Sequence, residues 1–216
     1  MSTNDDAPAP VSQAITGLAV IADPAPLGLA AFALTTFLLS AFNAGWANAS
    51  SGGQFLGYAL AYGGLVQLLA GMWEFRNRNV FGSTAFSTYG GFWIGLGLWA
   101  LLVAPHDTAA QAANDKGWIV LAFLIFNTYM MLFSTQVNAA VFAVFLTLEA
   151  TEVLLVIAGL AGNAHILKIS GYVGVLTAAA AWYASAAGVI NGMRGGRILP
   201  VGGPFLALTP RPAVTR

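Results

Sequence analysis

The chain has 216 residues, of which 58% are hydrophobic and only 7% charged, with a formal net charge of zero and no cysteine. An ordinary soluble domain carries about 25% charged residues, so this sequence lacks the polar surface to face water on every side, and its solvent must be largely lipid. Balanced charge with only a modest basic cluster at the C-terminal end argues against nucleic acid as a partner, and the missing cysteines exclude disulfides, thiolate metal sites and thiol nucleophiles.

Residues 1–22 are rich in Ala, Pro, Ser and Thr, and carry Asp5 and Asp6 but no Lys or Arg. They lack the basic region of a signal peptide and are expected to form a short disordered cytoplasmic tail. Next comes Asp23-Pro-Ala-Pro-Leu-Gly-Leu. Pro24 and Pro26 suit a first helical turn, where a missing N–H has no partner to lose. Asp23 just ahead of them can accept hydrogens from free backbone N–H groups and favours the positive end of the helix dipole. With Gly28 completing the motif, this stretch is a hard start for an apolar helix at the entrance of whatever path the bundle encloses.

A bilayer core needs roughly 20 apolar residues per helix. Six segments qualify: Leu27–Trp46, Phe55–Phe75, Phe86–Val103, Trp118–Thr135, Ala139–Leu160 and Ile169–Ile190. Short loops of Gly, Ser, Asn, Asp and Pro separate them, so neighbours should run antiparallel, and six spans put both termini on one side. Arg76, Arg78, Arg194, Arg197, Arg211 and Arg216 fall on that side, against Lys116 and Lys168 opposite. Lys and Arg collect in cytoplasmic loops, so both termini are expected to be cytoplasmic. The reading is an all-α membrane protein of six transmembrane helices in one compact bundle. Residues 23–193 form the transport domain and residues 194–216 a cytoplasmic tail.

Polar groups at membrane depth are costly, so each is a functional candidate. The first helix carries Thr36, Ser40 and Asn43 on one face. The second offers Gln67, and the start of the third groups Thr84, Ser87 and Thr88. A single hydroxyl can be satisfied by its own helix carbonyl at i−4, but a set recurring on several helices suggests a narrow polar path. No Lys, Arg or His is expected at mid-span. An anion would meet only hydroxyls, amides and helix N-termini, which suits weak binding and fast passage. Glu149 and Glu152 are the exception. They share a face of the fifth helix at i, i+3, where a charged carboxylate costs about 2.5–3.5 kcal/mol on insertion scales. One reading makes them proton carriers or sensors; the other makes them a neutral pair bonded to Thr or Asn on a neighbouring helix. Glu74 reads as an interfacial anchor, and His106 and His165 as solvated loop residues.

Three stretches together resemble the acetate uptake transporter family of acetate/succinate–proton symporters, which has fungal relatives linked to acetate and ammonium. They are Asp23-Pro-Ala-Pro-Leu-Gly-Leu, the run from Tyr62-Gly-Gly-Leu-Val-Gln through Trp73-Glu-Phe to Asn79-Val-Phe-Gly-Ser-Thr-Ala-Phe-Ser-Thr-Tyr-Gly-Gly-Phe-Trp, and Gly171 to Asn191 with Ile198-Leu-Pro. The resemblance implies six helices around a central path, subunits assembled as a hexameric ring, and an apolar constriction formed by Phe32, Tyr89 and Leu148. Two departures stand out: Asp23 replaces the family's Asn, and Glu149 and Glu152 occupy positions expected to be apolar or hydroxylic. The function implied is transport of acetate and related short carboxylates across the cell membrane, with a proton and without a cofactor or metal. An ammonium or ammonia exporter and a non-transporting membrane sensor are the alternatives. An enzyme is disfavoured because no nucleophile–base or metal-ligand constellation appears.

Overall fold

The computed structural model describes residues 21–47 and 54–206. The expectation of a tail over residues 1–22 lies almost wholly outside them, as do residues 207–216.

Six helices are long and apolar enough to cross a membrane. They are α1 (Ala25–Asn43), α2 (Gln54–Leu60, continuing through Ala61–Val66 and Gln67–Arg76), α3 (Val80–Leu102), α4 (Ala109–Ser134), α5 (Ala139–Ala161) and α6 (Ala164–Arg194). Each start after α2 is written in a side chain. The Asn79 side-chain oxygen accepts from Gly82 N at 3.0 Å and the Asn138 oxygen from Val141 N at 2.9 Å. Asn163 accepts from both His165 N and Ile166 N, while Thr108 and Gln111 form a reciprocal capping box. At α1 the Asp23 carboxylate accepts from Ala25 N at 2.9 Å, just ahead of Pro26 in the first turn. Helices α5 and α6 both end on a left-handed glycine, Gly162 (φ 61°) and Gly195 (φ 63°), a conformation that a side chain would resist.

The observed helices run longer than the apolar segments. Helix α3 starts at Val80 rather than Phe86, α4 at Ala109 rather than Trp118, and α6 covers 164–194 rather than 169–190. The extra turns are polar-capped ends outside the apolar window, since helical hydrogen bonding continues where hydropathy stops. Lys116 therefore lies within α4 rather than in a loop.

Helix α2 contains a π-helical turn over Ala61–Val66, which hydropathy did not foretell. There Gly63 packs onto Thr35 of α1, and a Cβ on Gly64 would sit 2.6 Å from Ile94 Cγ1 of α3. The wider turn shifts the phase of the remaining helix and carries Gln67 fully inside the bundle.

Helix α1 packs along α6, α6 along α5, α5 along α4, and α2 along α3. Small residues permit the approach, as at Gly90, where a Cβ would lie 2.7 Å from the Leu68 backbone N. The bundle buries polar side chains alongside its apolar core and turns apolar ones outward. Its largest fully buried side chains include Gln67, Glu74, Asn127 and Thr35, while Leu69, Met72, Ile125, Phe133 and Leu176 point outward. That is the arrangement lipid demands. After Gly195 the chain folds back. The Asn191 side chain accepts from Ile198 N and Leu199 N, Tyr183 Oη donates to Pro200 O, and Ala140 N donates to Val201 O. The part of the C-terminal tail up to Phe205 is therefore fastened against the start of α5 by Phe205 N donating to Thr135 O and by the edge-to-face rings of Phe142 and Phe205.

Candidate functional site: a constricted path through the bundle

Three cavities succeed one another along the bundle. The first, about 440 Å³, opens on the side of the termini and is lined by Asp23, Pro26, Leu29, Asn79, Asn138 and Asn191, among others. The starts of α1, α3 and α5 all meet here. Their N-terminal N–H groups and dipoles make the mouth favourable to negative charge, with the Asp23 carboxylate set against it. Because Asp23 and Asn191 line one mouth, both ends of the bundle lie on the same side.

A small cavity of about 20 Å³ comes next, and shares Leu29 with the mouth. Gln67 lines it, with its Oε1 buried and unpartnered. Beyond lies a third cavity of about 40 Å³, lined by Thr36, Ser40, Asn43, Trp93, Thr151 and Glu152 together with apolar side chains. Three residues belong to both of the inner cavities: Phe32, Tyr89 and Leu148. All three are buried, and the rings of Phe32 and Tyr89 meet edge-on at 5.7 Å. The two spaces are thus separated by two aromatic rings and one branched aliphatic side chain. Such an apolar ring can gate by excluding water.

Tyr89 is held from behind. Its hydroxyl donates to Asn127 Oδ1 at 2.9 Å and lies 3.4 Å from Glu152 Oε1. Asn127 Nδ2 donates to Glu149 Oε2 at 2.7 Å and to the Phe145 carbonyl at 3.1 Å. Thr128 Oγ1 stands 2.7 Å from Glu149 Oε1. Asn127 is completely buried and ties α3, α4 and α5 together at one level. Around it Phe92, Phe123 and Phe126 surround the Tyr89 ring, with Phe92 and Phe123 centred 4.6 Å apart. This aromatic packing joins α3 to α4.

The residues singled out by sequence fall into four places. Asp23, Pro26 and the end of Gly28's turn are at the mouth; Pro24 caps α1; a Cβ on Gly28 would sit 2.7 Å from the Phe86 ring. Phe32, Tyr89 and Leu148 lie together between the inner cavities, and Gln67, Thr36 and Asn43 line those cavities. Glu149 and Glu152 are separated despite sharing a helix face. Glu152 reaches the third cavity, while Glu149 turns between α4 and α5 toward the exposed Thr128. Thr84 and Thr88 line none of these spaces. At 100° per residue they lie on the side of α3 opposite Ala85, Tyr89 and Trp93, next to the outward Gly91 and Gly95. Thr151 is a participant that was not placed at the site from sequence. The signal was a polar residue inside an apolar span, but periodicity on one helix does not say which neighbour it meets. Glu74, in the last turn of α2, is fully buried and accepts from Asn77 Nδ2 at 3.1 Å beside the start of α3.

Comparison with known proteins finds relatives of the whole fold. The GPR1/FUN34/yaaH family matches residues 10–200. The chain is 40% identical over 195 residues to acetate permease A of Emericella nidulans, covering 83% of this chain but 65% of that protein, so it spans about two thirds of the fungal relative's length. It is 38% identical over 185 residues to the succinate-acetate/proton symporter SatP of Escherichia coli K12, covering 84% of this chain and 96% of the symporter. The structure of the bacterial acetate channel SatP superposes with a TM-score of 0.79 at 34% identity, covering 85% of this chain and all of that one.

Proposed function

The chain belongs to the GPR1/FUN34/yaaH family, and from that membership we propose that it carries acetate and related short carboxylates across the membrane, together with a proton. The observation that carries this reading is the pair of inner cavities that meet through Phe32, Tyr89 and Leu148. A small acid drawn to the N-termini of α1, α3 and α5 loses most of its water at this ring and finds hydroxyls and amides on the far side. Among the described residues, no Lys, Arg or His lines the three cavities. Binding is therefore weak at every stage, as rapid passage requires.

Several finer features belong to the same proposal. Arg76, Arg78, Arg194 and Arg197 lie on the side of the termini, which supports cytoplasmic termini in the cell's inner or plasma membrane. Gly91 and Gly95 leave the outer face of α3 open, with nothing within 4 Å of a Cβ added to either, which suits close approach of a second subunit in a homo-oligomer of the hexameric kind. The glutamate pair of α5 is where a proton is linked to the path, with Glu152 on the third cavity and Glu149 behind it, and we assign the chain no enzymatic role, in line with its named relatives. The acceptor oxygens of Asp23 and Glu152 favour a second reading, in which ammonium is the solute.

Leu148 tests the ring. Leu148→Phe adds bulk at the constriction and should cut labelled-acetate flux into proteoliposomes at least tenfold. Leu148→Ala should open it, so that flux of four- and five-carbon acids rises severalfold relative to acetate. Flux of both sizes unchanged in both variants would mean that the path does not run between these residues.

A further inference from the structure

We propose that Glu152, Thr36, Asn43 and Trp93 form a binding site for one small monocarboxylic acid together with one shared proton, directly beyond the constriction, and that Glu149 positions this site without carrying the proton. The inference rests on the acid-transport reading above and assigns the glutamate pair two different tasks.

Four buried polar atoms without a protein partner belong to residues lining the one cavity of about 40 Å³: Thr36 Oγ1, Asn43 Oδ1, Trp93 Nε1 and Glu152 Oε2. Buried polar atoms are normally bonded, so four orphans around one space point to an occupant. The Thr36 hydroxyl is informative. Thr35, Thr147, Thr151 and Thr177 each return their hydroxyl to their own helix carbonyl four residues back, whereas Thr36 does not. On the scale where one water needs about 10–15 Å³, the cavity holds about three waters, or one solute of about four heavy atoms.

The hydrogen supply separates the two glutamates. Glu149 Oε2 accepts from Asn127 Nδ2 at 2.7 Å, and Glu149 Oε1 lies 2.7 Å from the Thr128 hydroxyl, which also reaches the Leu124 carbonyl at 2.8 Å. Glu152 is only 4% exposed, has just the long contact from Tyr89 on one oxygen, leaves the other without a partner, and lines the cavity. What it lacks is a hydrogen. A monocarboxylic acid supplies the complement: one proton held between its oxygen and Glu152 Oε2 in a charge-assisted O–H···O bond. Its other oxygen accepts from the Thr36 hydroxyl or the Trp93 indole N–H, and its alkyl end meets Leu39, Phe92 and Leu155. Without the proton, two like charges would face each other in a buried space. With it, acid and glutamate together carry one charge. The titratable groups facing Glu152 are Tyr89 from α3 and Glu149 on its own helix. Helix α1 presents Thr36, Ser40 and Asn43, α4 presents Val120 and Asn127, and α6 approaches through Gly174 and through Thr177, which bonds Thr151 at 3.0 Å.

The test is acetate binding to the purified full chain in detergent, monitored by tryptophan fluorescence at several pH values, with Trp93→Phe identifying the signal from the site. The apparent affinity should weaken about tenfold per pH unit above neutrality, because each acid brings one proton. Glu152→Gln should abolish that slope while acetate still binds, and Glu149→Gln should keep it. Thr36→Val should weaken binding severalfold at every pH and leave the slope intact. A slope that survives Glu152→Gln, or disappears in Glu149→Gln alone, overturns the proposal. If Glu152→Gln does not fold, the wild type decides: in a pH series of weakly buffered protein, acetate binding should reach an uptake of one proton per site on the alkaline side, and zero uptake at every pH overturns the assignment. Acetate flux in liposomes without this binding signal would sink the site and spare the transport reading. Ammonium binding in place of acetate, or absence of any flux, would sink both.

Discussion

Replacing Asn127 with alanine removes a donor to Glu149, a donor to the Phe145 carbonyl and the acceptor of the Tyr89 hydroxyl in one step. Because the residue is completely buried, its loss leaves the Tyr89 hydroxyl only the long contact to Glu152 and takes the amide donor from Glu149. Asn127→Ala should lower stability in detergent by about 1–3 kcal/mol, read as a lower midpoint of thermal unfolding. The Tyr89 ring, released from behind, should also discriminate less sharply between acetate and larger acids. An unchanged midpoint and unchanged selectivity would mean that the network does not hold the ring. Asn127 also marks what the sequence could convey about the site. A polar residue inside an apolar span was visible, and so were Thr36, Ser40 and Asn43 on one face of α1. Which helices those faces meet was not, because a hydroxyl on one helix is silent about its neighbour until the bundle closes. For the same reason Glu149 and Glu152 read as one pair, although their side chains leave the helix toward different partners.

At the level of elements, α2 and α3 touch through glycines, and of the two glycines of Gly90-Gly91 the first is packed and the second open. A Cβ at position 90 would lie 2.7 Å from the backbone N of Leu68, which cannot step aside, whereas a Cβ at position 91 meets nothing within 4 Å. Gly90→Ala should therefore destabilise the subunit by about 1–3 kcal/mol, as overpacking does. Gly91→Ala should leave unfolding of the isolated subunit unchanged and shift its self-association. Thermal melts and size-exclusion profiles of the two variants separate these outcomes, and equal effects would contradict the packing described. Hydropathy placed all six spans because lipid exposure imposes a run of apolar residues on each helix. It missed their ends by several residues at α3, α4 and α6, where caps such as Asn79, Thr108 and Asn163 extend the helix beyond the apolar run. It was blind to the π-turn of α2, since the average over a window contains no phase. Yet that turn is what carries Gln67 inward.

For the whole molecule, the ordering of spaces matters more than any one contact. A mouth of about 440 Å³ narrows to about 20 Å³, passes Phe32, Tyr89 and Leu148, and opens again to about 40 Å³. The chain is apolar where it meets lipid and mixes apolar packing with buried polar groups where its helices meet one another, with the carboxyl groups of Glu149 and Glu152 kept at the α3–α4–α5 junction. The central claim, that this bundle moves short carboxylates with a proton, is tested most directly by labelled-acetate uptake into proteoliposomes with an alkaline interior, with passive entry measured in protein-free liposomes and subtracted. The account predicts protein-dependent accumulation above the level reached in those liposomes, and its collapse when an uncoupler removes the pH difference. Acetate entry no faster than through bare lipid, alongside protein-dependent movement of ammonium, would contradict it.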